Sequence, residues 1–167
     1  RGNSPLRNGS EAAIRVGYSC MSKIEHAAHT TWNNRYHFVW IVKYRRNLLY
    51  DKQRCKQLRT IIEEIGARHA FTIDELATDG NHVHAFIGAP PRYSQSHIMN
   101  IIKSISARLL LKEDPELRKL LWGASLWGDG FFVRTVGNEV TEYIVKEYIK
   151  RQGQETHHAP FEQVRLF

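Results

Sequence analysis

The sequence predicts an α+β fold, a ferredoxin-like sandwich with a central antiparallel sheet, helices on one face and a further C-terminal helix carrying a tyrosine. Three observations lead there. From Met21 onward the apolar periods alternate in the order β-α-β-β-α-β-α. Two neighbouring strands meet at Asp79-Gly80-Asn81, a tight-turn sequence that closes an antiparallel hairpin. The two helices lying between strands each carry an apolar stripe, which lets them cover one face of a single sheet. Such a fold hosts many functions and decides none of them.

Residues 1–20 show no period and no apolar run long enough for a signal peptide. They are expected to be a disordered tail or a cloning scar, with Met21 the native start and residues 21–152 forming one domain. Arg35 to Arg46 is rich in aromatic and β-branched residues and reads as a strand ending in a basic cluster, Lys43, Arg45 and Arg46. Tyr36, Trp40 and Tyr44 are interleaved with it. Asp51 to about His69 reads as a helix, with Leu58, Ile61, Ile62 and Ile65 at helical spacing and Gly66 near its end. Phe71 to Ala77 alternates as a strand, and Asn81 to Ala89 follows as the second arm of the hairpin.

Pro90 and Pro91 stop that strand. Ser94 or Ser96 then caps a long helix with Ile98, Ile101, Ile102, Ile105, Leu109 and Leu110 on its apolar side. Asp114-Pro115 breaks it, and Glu116 to Leu121 adds a short helical piece. Trp122 to Gly130 reads as a loop, Phe131 to Val136 as a strand, and Thr141 to Arg151 as a helix with Thr141 as N-cap. Residues 153–167 are expected to be a polar tail.

The formal charge of +7, with an isoelectric point near 9.6, favours a polyanionic partner, nucleic acid before acidic lipid. Three arginines against Glu11 in the first twenty residues account for only +2 of this, so the basic bias belongs to the domain. No apolar run approaches the roughly eighteen residues needed to span a membrane. Cys20 and Cys55 have no metal or disulfide spacing, which suits a reducing, cytoplasmic setting. Basic groups at Lys43, Arg45 and Arg46 answer phosphates, while neighbouring aromatic faces can stack on unpaired bases. Lys103 and Arg108, on the long helix, are further polar positions able to face such a ligand or water.

The candidate site begins at His82 and His84. Alternate residues of a strand share a face, which sets these imidazoles roughly 6.5–7 Å apart. Nine histidines in 167 residues give roughly half a His-x-His pair by chance, so the spacing alone carries little. Tyr148 and Gln152 lie four apart on the last helix and so share one face, whereas Tyr143 points elsewhere. Two imidazoles and an amide oxygen can hold Mg²⁺ or Mn²⁺ with positions left open for phosphate oxygens. A tyrosine beside them can attack phosphorus and stay bonded to it, which conserves the phosphodiester energy for rejoining. That is strand transfer rather than degradation.

Four collinear segments now carry a resemblance: Tyr36–Arg46, Gly80–Pro91, Leu126–Gly137 and Ile144–Gln152. Together they resemble the IS200/IS605-family transposases, single-tyrosine enzymes of the His-hydrophobic-His superfamily. The resemblance implies a ferredoxin-like homodimer that acts on single-stranded DNA with hairpin ends, through a 5′-phosphotyrosine link. It also implies Tyr148 as nucleophile and His82, His84 and Gln152 as metal ligands, with Tyr143 excluded. Val42 replaces the family's usual proline, and residues 1–20 have no counterpart. Two other readings stay open: a non-catalytic single-stranded nucleic-acid-binding module, and a domesticated single-tyrosine nuclease that processes hairpins.

Overall fold

The computed structural model describes residues 24–27, 29–121, 125–137 and 139–152. The tails expected at 1–20 and 153–167 lie outside them. Four strands, β3 (Arg35–Val42), β4 (Thr72–Asp79), β5 (His82–Gly88) and β6 (Trp127–Val136), form one antiparallel sheet in the order β4-β5-β3-β6. Counted by appearance in this sheet, that is the ferredoxin-like order. A two-stranded ribbon, β1 (Glu25–Ala27) and β2 (Thr30–Trp32), precedes it and had no periodicity to announce it. Helices α1 (Lys52–His69), α2 (Gln95–Glu113), α3 (Pro115–Leu120) and α4 (Glu139–Gln152) complete the chain.

The sheet divides its side chains by parity. Phe38, Trp40, Val83, Ala85 and Ile87 point to one face and pack against Leu58, Ile61, Ile62 and Ile65 of α1 and Ile98, Met99, Ile102 and Leu110 of α2. The opposite face carries a smaller cluster of Ala77, Phe86, Val136 and Ile149, the last from α4. Fully burying one aliphatic side chain contributes roughly 1.5–3 kcal/mol. Four such residues hold α1, whereas Ile149 and the partly buried Val145 are the apolar hold on α4. Lys146 adds an ion pair to Asp74 at 3.9 Å and Lys150 one to Glu75 at 3.6 Å. The C-terminal helix is therefore the more lightly attached layer.

Local chemistry sets the ends. Asp51 caps α1 by accepting from the N–H groups of Gln53 (2.8 Å) and Arg54 (3.0 Å). Ser94 caps α2 by accepting from the His97 N–H at 3.2 Å. Asp114 accepts from the Leu117 N–H at 2.8 Å and pairs with Arg54 at 2.8 Å, so it starts α3 and ties it to α1. Helix α1 ends at His69 as the sequence predicts, with Gly66 in its last turn. A Cβ there would lie 2.9 Å from Ile73 and 3.0 Å from the Phe71 carbonyl, so glycine permits the close approach of helix and sheet. Trp127 to Gly130 is strand rather than loop, because these residues continue the pairing of β6 with β3 past a register shift between Trp40 and Val42. Helix α4 starts at Glu139, which places Thr141 inside its first turn and not at its cap.

Two features carry cost. Arg35, at 2 % exposure, buries a guanidinium between Asp74 (3.0 Å) and Glu25 (3.4 Å), joining β1 to the sheet. Its register partner is Gly88, where a Cβ would collide with the guanidinium. After β3 the chain makes a tight turn at Lys43–Arg45 in which Tyr44 (φ 58°, ψ 23°) and Arg45 (φ 51°) both adopt the left-handed region. For bulky residues this costs on the order of 1–3 kcal/mol each. No helix of the described residues is long and apolar enough to cross a membrane.

Candidate active site

The candidate residues gather on the sheet face that carries the smaller apolar cluster. His82 and His84 alternate with Val83 and Ala85, which the core claims, so both imidazoles project towards α4, with ring centroids 6.4 Å apart. Strand β3 contributes a third. The register pairs Val39 with His84 and His37 with Phe86, which puts His37 on the same face. His37 Nε2 and His84 Nδ1 lie 3.4 Å apart, one nitrogen donating to the other according to tautomer. Burial of Ile149 against Phe86 then fixes the height of α4. Its neighbour Tyr148 stands edge-on to His84 (centroids 6.1 Å) and to His37 (6.3 Å).

Burial sets the protonation of the site. His84 is pushed down to about 4, by desolvation first and then by the neighbouring His37 and His82. His37 is also pushed down to about 4, by desolvation and then by the Arg134 charge. His82 is lowered by desolvation and by Arg45, with Asp79 opposing. The imidazoles are thus neutral at neutral pH and keep the lone pairs that ligation requires.

The sign for stability follows from linkage. An unfolded chain takes up these protons near pH 6.5 and the folded chain only near pH 4, so stability is full above about 6.5 and is lost as pH falls towards 4. A shift of this size corresponds to roughly 3 kcal/mol for one histidine, and less than double that for two that depress each other. The metal-free protein in chelator should therefore melt at distinctly lower temperature at pH 4.5 than at pH 7. A His37→Phe variant should show a shallower acid limb. A melting temperature unchanged over that range would contradict the burial of neutral imidazoles.

The other sequence-predicted residues are distributed unevenly. Tyr148 is 37 % exposed, while Tyr143, at 58 %, lies on the outer side of α4. Gln152 is the half-buried last residue of α4, one turn beyond Tyr148. Lys43 and Arg45 occupy the strained turn, and Arg45 is close enough for its charge to act on His82. Arg46 donates to the Leu120 carbonyl. Lys103 donates to the carbonyls of Gly128, Asp129 (3.1 Å) and Gly130 (3.3 Å), fastening α2 to the start of β6. It and the exposed Arg108 belong to α2, which packs on the face away from the histidines. His37 is the residue that sequence reasoning missed. A ferredoxin-like order does place β3 beside β5, but the register that selects His37 is not written locally.

Comparison with known proteins places the chain in a family and supports the fold. The model of the family described as "Transposase IS200 like" matches residues 30–152. The transposase for insertion sequence element IS200 from Salmonella typhimurium is 30 % identical over 128 residues, spanning 77 % of this chain and 82 % of that protein. The ISDra2 transposase TnpA of Deinococcus radiodurans is 30 % identical over 117 residues, spanning 70 % and 82 %. Among solved structures, a candidate transposase from Deinococcus radiodurans R1 superposes with a TM-score of 0.62 at 27 % identity, over 77 % of this chain and 97 % of that one. A REP-associated tyrosine transposase bound to a REP hairpin shares the fold, with a TM-score of 0.53 at 17 % identity, over 75 % and 69 %. A family model spanning most of the domain, relatives matched over most of their length and the same sheet architecture make one conclusion: the chain belongs to the IS200-like transposase family.

Proposed function

We propose that this protein is a single-stranded DNA transposase that cleaves and rejoins DNA through a covalent tyrosine link. The observation that carries the proposal is the Tyr148 ring standing 6.1 Å from the His84 ring, on the sheet face opposite the larger apolar core. In the tautomer in which His84 Nδ1–H donates to His37 Nε2, His84 keeps a lone pair on its other nitrogen for a ligand. Among the described residues no group of three or more His, Cys, Asp or Glu side chains converges on a metal site. In this reading the Gln152 amide, one turn beyond Tyr148 at the end of α4, serves as the third donor beside His82 and His84. Neutral imidazoles plus an amide suit Mg²⁺ or Mn²⁺ with open positions. When bound, such an ion supplies Lewis-acid stabilisation of charge developing on the phosphate.

The chain's own residues do the rest. Tyr148 gives its phenolic proton to solvent, to which its ring is open, and its oxygen attacks phosphorus. The P–O3′ bond breaks, the 3′ oxygen leaves with the electron pair and takes up a proton, and a 5′-phosphotyrosine forms. A 3′-hydroxyl of another strand reverses the sequence, restoring Tyr148 and sealing a new phosphodiester. The net charge of +7 and the exposed basic turn beside His82 support single-stranded DNA as substrate. Hairpins at insertion-sequence ends and a homodimeric state follow from the family resemblance, and a cytoplasmic setting fits the free Cys55.

Incubation with hairpin-bearing single-stranded DNA and Mn²⁺, followed by denaturing electrophoresis, should trap a protein–DNA adduct. The fully duplex version of the same sequence should give none. Absence of an adduct on every hairpin-bearing strand, with Mg²⁺ as with Mn²⁺, would leave the binding-module reading in its place.

A further inference from the structure

The strained turn after β3 does work that the core does not require. Of the three aromatic residues interleaved with the basic cluster, Tyr36 is 7 % and Trp40 1 % exposed, both committed to the core. Tyr44 is 71 % exposed. Its backbone sits at φ 58°, ψ 23°, where glycine or asparagine would relieve the strain, and Arg45 follows at φ 51°. The turn is nevertheless held firmly. Asn81 Nδ2 donates to the Arg45 carbonyl at 3.2 Å and to Asn47 Oδ1 at 2.9 Å, and the Val42 N–H donates to the Asn81 carbonyl at 2.9 Å. Apart from Lys43, whose ammonium lies 5.6 Å from its ring centroid, Tyr44 has no partner among the described residues. A bulky ring is thus displayed to solvent at a backbone cost, by a turn locked to the residue that precedes His82.

We propose that Tyr44 is a stacking platform for one unpaired nucleobase of the strand whose phosphate lies at His82 and His84, with Lys43 and Arg45 facing the flanking phosphates. Every base offers a π-face, so the contact is indifferent to sequence and selects an unstacked, single-stranded base over a paired one. Strain held by surrounding structure is the pattern of a preorganised ligand contact. Tyr50, the other large exposed aromatic at this end, is seated against the β4–β5 turn at Gly80 and is less available for stacking. The inference rests on the proposed single-stranded DNA activity.

The test uses the full chain and a twelve-nucleotide oligo-dT with one central 2-aminopurine, which cannot form a hairpin. Tyr44→Asn tolerates the left-handed backbone but has no aromatic face, whereas Tyr44→Phe keeps the face. Wild type should bind and quench the 2-aminopurine, and Tyr44→Phe should match it within about twofold. Tyr44→Asn should bind about tenfold more weakly and lose the quench, while melting no lower than wild type. Equal binding by wild type and Tyr44→Asn would overturn the platform and leave the DNA activity standing. An equal loss in Tyr44→Phe and Tyr44→Asn would also overturn it, assigning the effect to the hydroxyl. Failure of wild type to bind any single strand would remove both.

Discussion

Tyr148→Phe is expected to abolish the covalent protein–DNA adduct, slowing its formation by on the order of 10⁴-fold or more, while leaving DNA binding and folding intact. The substitution removes one oxygen and keeps the ring. The edge-on contacts to His37 and His84, at 6.3 and 6.1 Å, survive it. So do the Ile149 and Val145 contacts and the Lys146 and Lys150 ion pairs that dock α4. The ring is partly exposed, so the stability change should stay within about 0.5 kcal/mol. The oxygen removed is the proposed nucleophile, and a missing nucleophile is not replaced by binding energy. Tyr143→Phe serves as the matched control, because that side chain lies on the outer side of the same helix. An adduct that persists in Tyr148→Phe and disappears in Tyr143→Phe would reassign the nucleophile.

Arg35→Met is expected to be the most damaging single change to stability, at about 3–5 kcal/mol. The guanidinium is almost wholly buried, and its loss leaves Asp74, among the described residues, with the more distant Lys146 at 3.9 Å and takes a cation from Glu25. Removing one member of a buried pair costs more than the pair is worth, since the remaining charge keeps its desolvation penalty. For a domain of this size the melting temperature should fall by roughly 10 °C. The pairing with Asp74 is checked by the double variant Arg35→Met/Asp74→Asn, which should lose less than the two single losses combined. A fall below about 1 kcal/mol in Arg35→Met would show that the guanidinium is not the tie between β1 and the sheet.

What the sequence revealed depended on range. The alternation of His82 and His84 with Val83 and Ala85 is a local, period-two signal, and it survives intact because one parity is claimed by the core. Ser94, one of two serines read as the cap of α2, is the one that caps it, and Asp51, read as the first residue of α1, is its cap. The pairing of β3 with β5 could be anticipated from topology, but its register could not, and His37 enters the site through register alone. Glycine misled once. Gly128-Asp129-Gly130 looked like a loop, yet it continues an edge strand, and that use does not depend on a neighbour in sequence. The aromatic residues around the basic cluster were indistinguishable by composition, and only the fold separates Tyr36 and Trp40 from Tyr44.

The assembly of the smaller sheet face has a consequence for synthesis. His37 and His84 are 47 residues apart, and Tyr148 lies beyond both on the last helix described. A chain leaves the ribosome N-terminus first, so the histidine strands emerge well before the helix bearing the proposed nucleophile. A stalled or truncated product ending before Glu139 carries the histidines and the basic turn but lacks Tyr148, the proposed nucleophile. Under the proposed mechanism, competence to break DNA arrives only with the final helix.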